Sequence, residues 1–340
     1  MAVTQYKCPN CGGAIVFDPA KQDLVCEYCN AHFTKNDFDK ATAENESYES
    51  ETVSYVCNNC GAEIITTPTT AATYCCYCHT PVVLAKRLEG AQKPDYVLPF
   101  KLTKEQALER FQSFFNSKKM LPPIFKERIV LDKIAGVYYP YWYADSDVGA
   151  ELSATAKKIR TWTAGNYEYT ETKTYDIQRS GTLDIDAVSE PAIKDVDRVN
   201  LNYLCPFDDK LFEDFSMTYF SGFMAEKKAL EKEDVTQNIN TKVKNLAHAS
   251  LVGTVKQYST IQDNSFNFDV RSRKWRYALL PVWVLTYSVE GAEYIYAINA
   301  QTGKIFGNLP TDMKRIRRLT VLLLIIGAII GIAFGGVALL

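Results

Sequence analysis

The chain has 340 residues, and 38 Lys and Arg stand against 40 Asp and Glu for a formal net charge of −2. Charge so close to balance excludes a global basic field of the kind that draws in nucleic acid. Ten cysteines are the unusual count, and no signal peptide precedes Cys8, which argues against a disulfide framework.

In chain order, the first elements are two copies of one unit. Cys8, Cys11, Cys26 and Cys29 superimpose on Cys57, Cys60, Cys75 and Cys78 at a fixed offset of 49 residues. The same offset carries Gly12 onto Gly61, Pro19 onto Pro68 and Tyr28 onto Tyr77. Each copy reads C-x2-C, fourteen residues, C-x2-C, the spacing of a four-thiolate zinc site. Residues 1–36 and 54–85 are therefore expected to be two zinc ribbons, each with one structural Zn2+ ion. Four thiolates leave no open coordination position. An iron–sulfur cluster could also use them, but the hairpin spacing favours zinc, and a thioredoxin-like redox pair lacks its βαβ context.

The turn after each second cysteine favours a residue tolerant of positive φ, and Gly12, Asn30, Gly61 and His79 hold those places. Ala14–Phe17 and Gln22–Val25 read as strands about an Asp18–Pro19 turn, with Ile64–Thr66 and Ala72–Tyr74 as counterparts. Such short hairpins bury little, so metal should supply most of their folding energy. Cys76 aligns with Glu27 and is a bystander; Cys205 stands alone as a small buried apolar residue. Residues 37–53, with Glu44, Glu46, Glu49 and Glu51, read as a flexible acidic linker.

From about 95 to 310 the sequence turns aromatic and strand-like, long enough for one sizeable core. A capping box at Thr103–Gln106 opens a helix carrying Ala107, Leu108, Phe111, Phe114 and Phe115 on one face. A second helix, about Glu233–Leu251, carries Val235, Ile239, Val243, Leu246 and Ser250. Strands are expected at Val137–Ala144, Ile159–Thr163, Tyr167–Ile177, Trp275–Ser288, Tyr294–Asn299 and Lys304–Asn308, with turns at Gly165–Asn166 and Thr302–Gly303. A weak repeat relates Pro140, Trp142, Val148 and Glu151 to Pro281, Trp283, Val289 and Glu293, as if two related β-hairpin modules shared a core.

The last elements are a basic juxtamembrane segment, 311–318, and 22 uncharged residues, Leu319–Leu340. At about 1.5 Å per residue such a helix spans roughly 33 Å, enough for a hydrocarbon core of about 30 Å. Lys314, Arg315, Arg317 and Arg318 precede it, so the positive-inside bias and headgroup attraction predict a single-pass anchor in the cell membrane with a cytoplasmic N-terminus. Gly327, Gly331 and Gly335 line one stripe, a candidate face for helix–helix association in the bilayer. The fold class expected is thus α+β: two small zinc ribbons, a β-rich α+β middle domain and one C-terminal transmembrane helix.

No P-loop, dinucleotide-binding glycine pattern or H-E-x-x-H motif occurs, and the expectation is a protein without catalytic residues. His32, His79 and His248 are the only imidazoles; Asp145/Asp147, Asp184/Asp186 and Asp208/Asp209 read as solvated turns or strand edges. Over residues 1–95, 7 Lys and Arg against 12 Asp and Glu give −5. Two zinc–tetrathiolate centres bring this to about −9, which repels a polyanion. Protein docking is therefore favoured, with nucleic-acid association as the alternative.

The Cys8–Cys29 and Cys57–Cys78 ribbons resemble TFIIB-type zinc ribbons. With the β-rich domain and the terminal apolar segment, the whole chain resembles a family of bacterial membrane-anchored tandem zinc-ribbon proteins, and Tyr296–Phe306 is similar to the hairpin of PepSY-type domains. The family resemblance implies protein partners in an envelope-stress assembly, an SPFH/flotillin-like protein and a coiled coil like phage-shock protein A. The expected function is a non-enzymatic, tail-anchored adaptor whose ribbons dock those partners.

Overall fold

The computed structural model describes residues 6–34, 37–38, 53–56, 63–66, 70–74, 81–84, 92–118, 121–122, 134–194, 198–289, 292–307 and 312–335. Short strands come first: β1 (Ile15–Asp18), β2 (Asp23–Cys26), β3 (His32–Phe33), β4 (Val53–Val56), β5 (Glu63–Thr66), β6 (Thr70–Tyr74), β7 (Pro81–Val83) and β8 (Tyr96–Val97). Helix α1 (Lys104–Ser117) follows, then two very long strands, β9 (Ile134–Ala164) and β10 (Tyr167–Pro191). After α2 (Arg198–Leu204) come the short β11 (Glu213–Asp214) and β12 (Met224–Glu226), then α3 (Lys232–Gly253). The long β13 (Thr260–Val289), β14 (Ala292–Asn299), β15 (Ile305–Gly307) and α4 (Met313–Gly335) complete the order.

The spine is an antiparallel triplet in which β9 lies between β10 and β13. Along β9 the side chains alternate as a half-buried strand requires: Val148, Ala150, Leu152, Ala154 and Ala156 are buried on one face. Helix α3 covers that face with Ile239, Val243, Ala247 and Leu251, spaced at one turn each. The expected stripe through Leu246 and Ser250 is thus displaced by one residue; Leu246 is exposed and Ala247 takes the core position. Small alanines on the sheet let the helix backbone come close, which selects the narrower i, i+4 stripe.

Nearer the start of β9 both faces are buried. Ile134, Tyr138 and Trp142 join α1 and the N-terminal strands in one core, while Val137, Tyr139, Tyr141 and Tyr143 meet Leu201 and Leu204 of α2 in another. Two buried indoles and one phenol are satisfied by backbone: Trp142 Nε1 donates to Leu230 O and Trp283 Nε1 to Leu102 O, both at 2.9 Å, and Tyr141 Oη to Leu201 O at 3.0 Å. The α1 capping box forms as expected, Gln106 N to Thr103 Oγ1 at 3.3 Å and Thr103 N to Gln106 Oε1 at 3.1 Å. The turns at Gly165 and Gly303 both use positive φ, 65° and 78°.

Four expectations are corrected. Of the described residues 49% are strand and 26% helical, so the molecule is mostly β rather than α+β. Val137–Ala144 and Ile159–Thr163 are two ends of the one strand β9; the intervening Asp145–Lys158 keeps a period-two alternation whose polar positions mimic a loop. Pro140–Glu151 runs straight through β9 without turning, so the two-hairpin-module reading fails there.

The fourth correction concerns the C-terminus. Among the described residues no helix is long and apolar enough to cross a membrane, which overturns the transmembrane helix 319–340 and the single-pass cell-membrane localisation drawn from it. The first turns of α4 hold Lys314, Arg315, Arg317 and Arg318. Beyond them the described part of α4, 319–335, reaches about 26 Å at ~1.5 Å per residue, short of a ~30 Å core. Gly327, Gly331 and Gly335 all lie on α4, and nothing stands within 4 Å of a Cβ at Gly327. Residues 336–340 lie outside the described residues, as does most of the 37–53 linker.

Candidate metal centre

Two equivalent backbone turns deliver the first four cysteines. In one, Gly12 N donates to Cys8 O and Cys8 N to Gly13 O, both at 2.8 Å. In the other, Asn30 N donates to Cys26 O and Cys26 N to Ala31 O, both at 2.9 Å. Gly12 (φ 75) and Asn30 (φ 55) sit in the left-handed region, as their places after Cys11 and Cys29 led us to expect. A Cβ on Gly13 would press on Tyr28 Cβ at 3.0 Å and on the Cys11 and Cys26 sulfurs at 3.4 Å, so the knuckles close only around glycine there.

The four sulfurs converge. Cys8 Sγ lies 3.6 Å from Cys29 Sγ, Cys11 Sγ lies 3.5 Å from Cys26 Sγ, and all four fall within 4.8 Å of one another. A tetrahedral zinc with bonds of about 2.3 Å sets its sulfurs about 3.8 Å apart, so the donor set and spacing fit one zinc ion. Cys8 and Cys26 are buried while Cys11 and Cys29 face solvent. Backbone N–H groups already favour thiolate: the Cys29 and Tyr28 amides hold the Cys26 thiol down to about 7, against the desolvation that opposes them. Cys11 is pushed up to about 12, because desolvation and the hydrogen bonds to Cys29, Cys26 and Cys8 outweigh the Gly13 N–H that lowers it.

The ribbon is not a free module. Phe17 N donates to Ser221 O at 2.9 Å, Ser221 Oγ to Ile15 O, and Gln22 Nε2 to Phe100 O at 2.6 Å. The Phe17 ring packs edge-on to Tyr219 at 5.1 Å, beside Phe223, which stacks on Phe100 at 4.1 Å. Gly222, at φ 89, lies where a Cβ would meet Val16 at 3.1 Å. A few residues on, Ala225 of β12 pairs with Ala72 of β6, and Tyr74 Oη donates to Gly222 O. Segment 217–226 thus holds elements from both cysteine repeats. Sequence reading missed it, and Gly222 was the only signal it offered.

Cys57, Cys60, Cys75 and Cys78, with Gly61, Cys76, Tyr77 and His79, lie outside the described residues. The strands around them repeat the first ribbon's register. The Lys7–Ala14 bridge recurs at offset 49 as Val56–Glu63, and Leu24–Phe33 and Val25–His32 recur as Thr73–Val82 and Tyr74–Pro81. Among the described residues the counterpart of the β1–β2 pairing does not recur: β5 pairs β4, and β6 pairs β7 and β12 instead.

Other singled-out residues have structural partners. His248 Nε2 pairs with Asp263 Oδ2 at 2.6 Å, and His32 Nε2 with Lys21 Nζ at 3.3 Å. Asp145 and Asp209 converge on Arg276 at 2.8 and 3.0 Å, and Asp208 caps a short 3-10 turn. Cys205 is half-buried with its sulfur 3.5 Å from Ser189 Oγ, and burial pushes its thiol up.

Over 314 residues the chain is 32% identical to the uncharacterized protein YdjG of Bacillus subtilis, a match that covers 92% of each chain. The chain belongs to the YdjG family. No protein-family model matches it, and no solved structure does.

Proposed function

We propose that the protein is a zinc-held docking adaptor without enzymatic activity. The closed four-cysteine cluster carries the reading, because four thiolates leave a bound zinc no position for substrate or water. Tyr28, on the second knuckle, is 84% exposed, and Asn10 on the first knuckle and Asn30 on the second are exposed as well. An aromatic ring with amide neighbours on a rigid turn suits a protein surface. The partners that the family resemblance points to are an SPFH/flotillin-like protein and a coiled coil like phage-shock protein A. The zinc would then act at a distance from any chemistry, by fixing the turn that presents Tyr28.

The reading includes a second zinc at Cys57, Cys60, Cys75 and Cys78, as a tandem ribbon. Its support is the recurrence of three residue pairings at the 49-residue offset that also relates the cysteines. Metal analysis of the purified chain should give two zinc ions per chain, and Cys57→Ser with Cys60→Ser should leave one. Purified candidate partners should bind the intact chain and lose affinity to Tyr28→Ala. Binding that survives both Tyr28→Ala and zinc chelation would sink the docking role.

A further inference from the structure

From the free edge of β10 we infer that two copies of this chain pair edge to edge through residues 169–175. Beyond Lys157, where β13 stops accompanying it, β9 and β10 continue as a two-stranded ribbon to the Gly165–Asn166 turn. Among the described residues β10 pairs with β9 alone, so its outer edge leaves the backbone groups of 169–175 without a strand partner. An exposed edge of this kind is a template for another strand.

Backbone polarity fixes which residues can bond outward. Ile159 N reaches Ser259 Oγ at 3.0 Å and Lys157 O receives Ser259 N at 2.7 Å, so both residues direct their polar groups away from β10. Their partners across the ladder are Thr172 and Thr174. In an antiparallel pair, residues that do not bond each other point outward on both strands. Thr170, Thr172 and Thr174 therefore present N–H and C=O to the free edge.

The local sequence is complementary to itself reversed. Residues 169–175 read Tyr-Thr-Glu-Thr-Lys-Thr-Tyr. A two-fold axis at Thr172 sets Thr172 against Thr172 and Thr170 against Thr174 of the second copy as bonded pairs. It sets Glu171 against Lys173, and Tyr169 against Tyr175, as the closer non-bonded pairs in which side chains interact most. Each charged and each aromatic pairing occurs twice, as an isologous interface demands. In one chain Lys173 and Glu171 already lie 3.2 Å apart, so the dimer alternates four charges along one face. Trp162 stacks on Tyr169 at 5.7 Å and Tyr258 meets Tyr175 at 5.3 Å, which holds both tyrosines on that face. Glu168 against Asp176 is the one unfavourable pair, at the end of the ladder where the strands twist apart.

The experiment is sedimentation equilibrium of the full chain from roughly 1 to 100 µM, the range where a short edge pairing with modest cross-strand terms should show. The wild type should dimerise. Lys173→Glu sets carboxylates against each other twice and should weaken the dimer at least about tenfold. The double swap Glu171→Lys with Lys173→Glu keeps the reversed complementarity and should restore it; circular dichroism checks that each variant is folded. A monomer throughout, a dimer indifferent to Lys173→Glu, or a double swap that fails to restore association would each overturn the proposal.

Discussion

The first ribbon and the α3-covered half of the long sheet reach order by opposite means. Strands β1 and β2 are four residues each and bury Ile15, Phe17 and Leu24 beside two cysteines. The sheet under α3 has strands of 25 to 31 residues and a continuous apolar layer. Where apolar area is plentiful, burial alone sets the geometry; where it is scarce, a four-thiolate centre and docking onto the body replace it. Ribbon order should therefore depend on a bound zinc and on segment 217–226 together, a dependence with no counterpart expected under α3.

The largest effect should come from Cys26→Ser, which removes a buried ligand. Structural zinc in zinc-finger peptides supplies about 10–16 kcal/mol of apparent binding energy at neutral pH, so ribbon amides 15–26 should lose hydrogen-exchange protection while those of α3 keep theirs. Protection of β1 and β2 that outlasts zinc removal would show that docking by Phe17 suffices, and the contrast between the regions would break. Next, Ile239→Ala opens a cavity between α3 and the sheet and should cost about 2–5 kcal/mol in urea unfolding, with zinc content unchanged. At the junction of the two regions, Gly136→Ala forces a methyl to within 2.5 Å of the Phe223 ring and should cost about 1–3 kcal/mol. That loss should appear in both the ribbon and the sheet, because Phe223 packs against Phe17 as well as Phe100. Smallest is Tyr28→Ala, a stability change of about 0.5 kcal/mol or less for so exposed a ring. Its thermal midpoint should hardly move, and a large drop would assign Tyr28 to packing instead of docking.

How much was readable varies with the range of the interaction. Ligand spacing, the positive-φ places at Gly12 and Asn30 and the Thr103–Gln106 box are local and were legible, since each needs only neighbours a few residues away. The helix at 232–253 was legible as a helix, but the choice between Ser250 and Leu251 for the core was not. It depends on how closely the sheet's alanines admit the backbone. The continuity of β9 escaped because its exposed face is polar from Asp145 onward, and a polar face reads the same in a loop. His248 had no evident partner in sequence, and Asp263 reached it only when α3 lay down on β13.

By itself the sequence determined the first ribbon's donors, Cys8, Cys11, Cys26 and Cys29, because coordination by two turns fixes ligand spacing within the chain. It also determined the 49-residue register, which the strand pairs repeat. Only the tertiary structure decided that the ribbon is clamped to Ser221 and Phe100 and that α3 settles on the Ala247 stripe. It alone decided that β10 is left with a free edge. Those are contacts between residues tens to hundreds apart, selected by shape and by unpaired backbone groups, and no local pattern encodes them.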